Sequence, residues 1–484
     1  MDTRTTPRAL PAPRCELASN EPQLRHTFRK RDGIALIVSN VVGVGIFTTP
    51  CVVAALVPHA AGILSLWLVG GFLALAGASC YARLARRWPS AGGEYVYLSK
   101  TYGPAAGFLS GWTSLIAGFS GSVAVNAVAL VLFAGHYFPS LAANQLLVAT
   151  DMLGFRAALT SRSIAAALVI AFLALLHMRS MAAGKHVQNL LAVLLVGMIA
   201  ALVAAGFASK HGSWTHFQAS PVHFGTMNWL LALVPVMFAY SGWNAAVYVS
   251  EEIHASRKSI RPILLGGTAA VVVLYFALNS LYLYAMTPAQ MLASSNIAET
   301  AARVLLGMKA DVITPVMIVA LLGAASALTI AGPRIYFAMA RDGVFIPVFG
   351  KVNVRYQTPA LAIALQAAWS IALVLVGGFE QILMYTGFAV VLSSGAAVAG
   401  LFFAHGDEDA SARRWTQLVI PAIFVIACAA MVIDTMLDAP KIALVGVLLI
   451  ATGLPAYALC RRKVSREKIL SPAYKFQPEE VSGD

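Results

Sequence analysis

Two short segments carry the chemistry this sequence offers. Val41-Val42-Gly43-Val44-Gly45-Ile46-Phe47 sets two glycines in the middle of an apolar run from Ile34 to Leu56, and Phe238-Ala239-Tyr240-Ser241-Gly242-Trp243-Asn244 interrupts a second run about 200 residues later. Neither contains a His, Cys or acid that would activate a nucleophile or ligate a metal, so the chemistry on offer is non-covalent. Each glycine costs a helix about 1 kcal/mol relative to alanine. Main-chain groups left bare in hydrocarbon cost several more, so a helix interrupted at mid-membrane persists only where it lines a cavity. At such a break, bare N–H groups favour an anion and bare carbonyls a cation.

The elements that must hold these segments are membrane spans. The chain is 59% hydrophobic with mean hydropathy +0.75, and only 11% of it is charged, against about 25% in an ordinary soluble domain. Runs of about 20 apolar residues fall at Ile34–Leu56, Gly62–Tyr81, Pro104–Phe138, Ile164–Leu176, Val187–Ala208, Met227–Val249, Ile263–Met286, Val312–Met339, Pro359–Gly377, Ile382–Ala404, Leu418–Ile433 and Ile442–Leu459. The expected fold is all-α and polytopic, with twelve transmembrane helices of which the first and sixth are broken.

The net charge of +13 is accounted for by topology rather than by a nucleic acid partner. With both termini inside, 28 of the 34 Lys and Arg lie on the inner side, and only Arg156, Arg162, Lys210, Arg303, Lys309 and Lys441 lie outside, as the positive-inside rule demands. The expectation is a multi-pass protein of the cell (inner) membrane with N and C termini cytoplasmic. Five cysteines (Cys15, Cys51, Cys80, Cys428, Cys460) form no CxxC and imply neither a disulfide framework nor a zinc site. No cofactor is called for. Residues 1–33 and 462–484 read as disordered cytosolic tails.

A break in span one matched by a break in span six suggests two repeats, residues 34–208 and 209–404, with 405–461 as two added helices. An odd number of spans per repeat forces the halves into opposite orientation, the five-plus-five inverted arrangement in which a ligand sits between two broken helices. After span two, Arg83 to Tyr95 ends the helix with Pro89, Gly92 and Gly93, and Tyr95 to Tyr102 reads as an amphipathic stretch along the interface. The outer segment Lys210 to Thr226 reads as a loop or short cap over the site.

These residues resemble the amino acid-polyamine-organocation (APC) transporter superfamily, and within it the L-type amino acid transporter branch and its bacterial relatives. The resemblance rests on Gly43-Val44-Gly45-Ile46-Phe47, on Pro89-Ser90-Ala91-Gly92-Gly93-Glu94-Tyr95, on Phe238 to Asn244 with Glu251-Glu252-Ile253, and on Arg334-Ile335-Tyr336-Phe337-Ala338-Met339-Ala340-Arg341-Asp342-Gly343 with Thr358-Pro359. It implies twelve helices in a five-plus-five inverted repeat and amino acid transport by alternating access. One departure stands out. Many relatives carry a Lys in the fifth helix, seven residues after a Gln like Gln188, where this chain has Leu195.

A zwitterionic amino acid carries a carboxylate and an ammonium, and both need partners once water is removed. The first span runs inside to outside, so the N–H groups of Val44, Gly45 and Ile46 at the start of its outer half are expected to take the carboxylate, with Gly43 and Gly45 permitting close approach. The sixth runs outside to inside, and the carbonyls of Phe238, Ala239 and Ser241, with that of Val41, are expected to take the ammonium. The resemblance implies Val41, Phe238 and Ser241 as well. Phe238 and Tyr240 are candidates for the gate and side-chain pocket, while Trp243 and Asn244 would brace the break. The competing reading of the glycines is close helix packing, but glycines two apart do not share a helix face.

Ser326 and Thr329 in the eighth span are candidates for a gate or ion position, against the common habit of such hydroxyls to bond their own helix. Asn126 and Asn279 read as interhelical bonding groups. Glu251, with Glu252, is either a solvated loop or an inner gate paired with Arg86 or Arg341. His59, His136, His177 and His186 sit near span ends and are assigned no proton transfer.

With no Asp or Glu deep in a span, the expected substrate is a neutral amino acid, taken from water across the lipid bilayer by a permease or antiporter. A cationic amino acid or polyamine exchanger is the alternative, and a carboxylate such as Glu380 at a span edge would serve it. An intramembrane enzyme lacks its base or metal, and a channel lacks a charged ring. The outer segment Pro139 to Arg162 has no Cys, so no disulfide-linked partner subunit is expected.

Overall fold

The structure is a computed structural model that describes residues 24–142, 144–152, 155–218, 225–294, 296–307, 310–376, 379–403 and 414–470. Eight helices are long and apolar enough to cross a bilayer: Ala60–Arg87, Pro104–Ala134, Ser161–Arg179, Met181–Ala208, Ser256–Ala285, Ile313–Arg341, Gln417–Asp438 and Pro440–Arg461. A ninth is the pair Lys30–Val41 and Gly45–Leu56 taken as one span bent by 47° at its break, and three shorter apolar helices, Thr226–Ala239, Ala360–Val376 and Gly387–Phe402, complete the set of twelve apolar segments among the described residues. They are numbered spans 1 to 12 in chain order. Span 6 resumes after its break as the short helix Ala245–Tyr248.

Local chemistry sets the ends. The His59 side chain accepts from the Gly62 N–H to start span 2, Thr160 accepts from Ser163 N–H at span 4, and Ser180 accepts from Ala183 N–H at span 5, each satisfying a donor the first turn leaves orphaned. Span 3 contains a π-bulge at Ser114–Gly118. Carbonyls of the bulge also accept from later spans: Tyr336 Oη donates to Ser114 O at 3.2 Å, alongside the Phe119 N–H, and Trp369 Nε1 to Ile116 O at 2.8 Å. The bulge thereby pins span 3 to spans 8 and 9.

Three features depart from the sequence reading. Residues 24–33, read as part of a disordered tail, are ordered: Leu24 and Phe28 are buried, and Lys30 already begins span 1. Phe28 N–H donates to Glu252 O and His254 N–H to Phe28 O, both at 2.9 Å, so a short extended strap crosses to the end of span 6. At the other end, the helix Gly453–Leu470 continues beyond Arg461; residues 1–23 and 471–484 lie outside the described residues. The stretch read as interfacial forms the helix Glu94–Tyr102, but Glu94, Tyr95, Val96, Tyr97 and Leu98 are all buried, so it is packed into the bundle. Between spans 3 and 4, Leu146–Met152 and Phe155–Thr160 form an antiparallel hairpin. The expected cap at Lys210 to Thr226 contains one short turn, Trp214–Phe217, with Trp214 stacked on Phe207; residues 219–224 lie outside the described residues.

Candidate functional site

Both helices break where glycine interrupts them. Span 1 stops at Val41 and resumes at Gly45, and span 6 stops at Ala239 and resumes at Ala245. The span 6 break needs Gly242, whose φ of +102° is open to glycine but strained for a side chain. The two breaks touch. A Cβ on Gly45 would lie 3.1 Å from Ala239 Cα, and the Asn40 amide donates to Gly242 O at 3.3 Å.

At the start of the outer half of span 1, no main-chain acceptor takes the N–H of Val44, Gly45 or Ile46 among the described residues. Val44 and Gly45 are half-buried and Ile46 is buried. These three donors face the N-terminal end of a helix dipole, the usual geometry for an anion. Gly45 corrects one expectation: its bare face meets the Ala239 backbone, so its immediate service is to let spans 1 and 6 approach. Gly43 faces Asn126 Oδ1 and Ala324 Cβ at 3.4 and 3.7 Å from an added Cβ. Asn126, read as interhelical glue, donates to Ser122 O in its own helix at 2.8 Å and leaves its buried Oδ1 unpartnered beside the span 1 break.

The carbonyl side differs more. Val41 O and Ala239 O are bridged by one hydroxyl: Tyr275 of span 7 donates to them at 2.8 and 3.0 Å. Phe238 O accepts from Ser241 N–H at 3.0 Å, and Val41 O also accepts from Gly43 N–H at 2.9 Å. Of the four carbonyls expected to await a cation, Ala239 O and Ser241 O have no main-chain donor among the described residues, and of these Ser241 O alone also lacks a side-chain donor there. Ser241 and Phe238 are exposed, Phe238 to 41%, so the breaks meet at the surface of the bundle. Two cavities of about 280 and 230 Å³ lie elsewhere and include no residue of either break.

Tyr240, a candidate gate, is turned inward: it is buried, its hydroxyl donates to Trp67 O at 2.9 Å, and its ring lies 5.0 Å from that of Tyr275. Trp243 packs edge-on against Tyr81 and Phe424, as a brace would. Thr329 Oγ1 donates to Ala325 O four residues back, which is the ordinary helical habit. Ser326 lies 3.0 Å from His177 Nε2. That histidine, read as half-wet, is fully buried with its Nδ1 unpartnered. Leu195 is fully buried.

The face of the bundle that carries the N-terminus is closed by ion pairs. Arg341 makes a bidentate pair with Glu251, 2.7 and 2.8 Å, and Glu251 also accepts from Ala91 N–H at 3.0 Å. Burial pushes the Glu251 carboxyl up, but the Arg341 bonds, the Ala91 N–H and the Arg341 and His26 charges outweigh it and hold the group below the ordinary carboxylate range. Beneath this pair lies a second one, fully buried. Arg334 Nε and Nη2 donate to Glu252 at 2.8 and 3.2 Å, and Nη1 donates to Ile330 O at 2.6 Å. Lys185 and Asn189 of span 5 reach Asp32 of span 1 at 3.3 and 2.6 Å. Glu251 is thus held by an ion pair at the surface, with the buried Arg334–Glu252 pair beneath it.

Sequence reasoning missed Tyr275, Arg334 and Glu94. Tyr275 carries no spacing signal, because its role depends on how span 7 packs. Arg334 and Glu252 did carry one: opposite charges at the C-terminal ends of two apolar runs.

The family described as amino acid permease matches residues 32–454. The chain is 26% identical over 458 residues to the mouse b(0,+)-type amino acid transporter 1, covering 92% of this chain and 91% of that one. It is 26% identical over 452 residues to the human Asc-type amino acid transporter 1 (91% and 83%) and 25% identical over 436 residues to the human large neutral amino acids transporter small subunit 2 (88% and 78%). Those relatives are transporters, not enzymes. With its broken helices in place and nearly its whole length matched, this chain belongs to the amino acid permease family.

Proposed function

We propose that the chain is a secondary transporter that moves neutral amino acids across the cytoplasmic membrane by alternating access, with both termini in the cytoplasm. The observation that carries this is the meeting of two interrupted helices, one offering the untaken N–H groups of Val44, Gly45 and Ile46 and the other the carbonyl of Ser241. The carboxylate of the substrate binds the first set. Its ammonium binds Ser241 O and displaces the Tyr275 hydroxyl from Val41 O or Ala239 O. Residues 34–208 and 209–404 act as two repeats of opposite orientation, and 405–461 adds two outer helices.

The preference for neutral side chains rests on where the acids are. Asp32, Glu94, Glu251 and Glu252 each already bond protein groups, so none is free to pair with a cationic side chain. Exposed Phe238 and the unpartnered Asn126 Oδ1 border the place a side chain would enter. The closed N-terminal face corresponds to a state shut toward the cytoplasm, with the substrate site reached from the other side. Uptake of radiolabelled leucine, serine and arginine into liposomes tests the reading: saturable leucine or serine uptake with mutual competition supports it, and saturable arginine uptake untouched by neutral competitors overturns the substrate class in favour of a cationic amino acid exchanger.

A further inference from the structure

Glu94 is a buried carboxylate to which the transport reading gives no active part. It opens the helix Glu94–Tyr102, between spans 2 and 3, and is 5% exposed. Three donors converge on its Oε1: Tyr81 Oη from span 2 at 2.5 Å, Ser394 Oγ from span 10 at 2.8 Å and Asn244 Nδ2 at 3.1 Å. No cation joins them among the described residues. The influences on its titration are burial first, then these three hydrogen bonds, and burial wins, raising its pKa above the ordinary carboxylate value. The titratable groups that face it are Tyr81 on span 2, Tyr97 on its own helix, Tyr248 on the resumed span 6 and Cys428 on span 11, all neutral near pH 7.

The position of Asn244 gives this carboxyl a mechanical connection. Asn244 is the residue at which span 6 resumes after its break, and its Nδ2 has two acceptors, Glu94 Oε1 and Tyr248 Oη at 3.2 Å. Ionised, Glu94 accepts from all three donors and ties the resumed half of span 6 to spans 2 and 10. Protonated, it becomes a donor itself and accepts more weakly. The Asn244 amide then keeps Tyr248, which rides on the same half-helix, so it is released from spans 2 and 10 without being left unpaired. A proton on Glu94 therefore frees the inner half of span 6 to move.

We propose that Glu94 is a proton-binding site whose occupancy is linked to the swing of the inner half of span 6, so that transport by this protein is coupled to proton movement. The proposal rests on the transport reading above.

The test uses the full-length protein in liposomes with a trapped pH dye, membrane potential clamped with valinomycin and potassium, and leucine as the substrate. The wild type is expected to acidify the lumen on leucine addition and to take up leucine more slowly as external pH rises. In Glu94→Gln, which keeps the acceptor oxygen but cannot titrate, leucine counterflow persists while leucine-driven acidification and the pH dependence are lost. In Tyr81→Phe, which removes one donor to the anion, the pH midpoint of uptake moves up by about one unit; this readout stands even where Glu94→Gln fails to fold. Intact counterflow in the wild type without leucine-driven acidification overturns the inference alone, as does acidification that survives in Glu94→Gln or an unmoved midpoint in Tyr81→Phe. Absence of any amino acid uptake or counterflow in the wild type refutes the transport reading, and this inference with it.

Discussion

Replacing Arg334 by Met removes the cation of a pair whose side chains are 0% and 1% exposed. Glu252 then loses the two bonds that satisfy it, at 2.8 and 3.2 Å, and remains where water does not reach. Breaking a buried pair from one side costs roughly 3–5 kcal/mol, because the surviving charge is uncompensated. At 1.4 kcal/mol per tenfold change, the state with a closed N-terminal face should lose roughly two to three and a half powers of ten against states that let Glu252 meet water. The strap at Phe28 bonds the Glu252 main chain, so it should loosen with it. A Thr27→Cys reporter in a background without other cysteines reads this directly, since Thr27 lies on the strap and is partly buried. In Arg334→Met the reporter is expected to react at least tenfold faster with a membrane-impermeant maleimide applied to the N-terminal face, with a lower unfolding midpoint in detergent. The double change Arg334→Met with Glu252→Leu should restore most of the midpoint, because apolar pairs of similar volume often replace buried ion pairs without loss. An unchanged labelling rate and midpoint in Arg334→Met would refute the reasoning that this pair holds the face shut.

Gly45→Val places a branched side chain against Ala239, whose Cα already lies 3.1 Å from an added Cβ; leucine uptake should fall at least tenfold at normal membrane levels, and normal uptake contradicts the close meeting of the two breaks. Tyr275→Phe strips the donor shared by Val41 O and Ala239 O, so stability in detergent should drop by about 1–3 kcal/mol, measured by denaturant or thermal unfolding. The Glu251–Arg341 pair has a definite pH sign. Because the Glu251 carboxyl is held below its ordinary value, its contribution is present above that value and is lost as pH falls through the lowered one. Labelling of the same reporter should therefore be faster in Glu251→Gln than in the wild type at neutral pH, and the two should converge in strong acid; a difference that persists there contradicts the assignment.

The breaks were legible in the sequence because glycine inside apolar runs, a pair in span 1 and Gly242 in span 6, violates the local rule for a membrane helix, and such violations mark sites. What each glycine faces was not legible. Gly45 was read as opening a path to a ligand, and its bare side meets span 6; spacing along one helix says nothing about the neighbour across it. The same limit hid Tyr275, whose hydroxyl matters only because span 7 packs behind both breaks. The carbonyl of Phe238 was read as free, but a three-residue turn lets Ser241 N–H reach it at 3.0 Å, a closure no periodicity discloses. Phe28 sits in a polar, arginine-rich stretch that composition assigns to a tail, yet two main-chain bonds and a buried ring tie it to span 6. Glu94 was visible only as part of a loop motif. Its burial follows from the helix Glu94–Tyr102 folding back into the bundle, where amphipathic spacing suggested an interface.

The central claim is that main-chain groups of two interrupted helices hold both charged ends of an amino acid, and binding of altered ligands tests it most directly. Equilibrium binding of leucine to the purified protein should weaken by roughly 10- to 100-fold for leucine methyl ester, which lacks the carboxylate, and similarly for the corresponding 2-keto acid, which lacks the ammonium, as expected when one charged hydrogen-bonding end is lost. Binding of either analogue with the affinity of leucine itself would contradict the account.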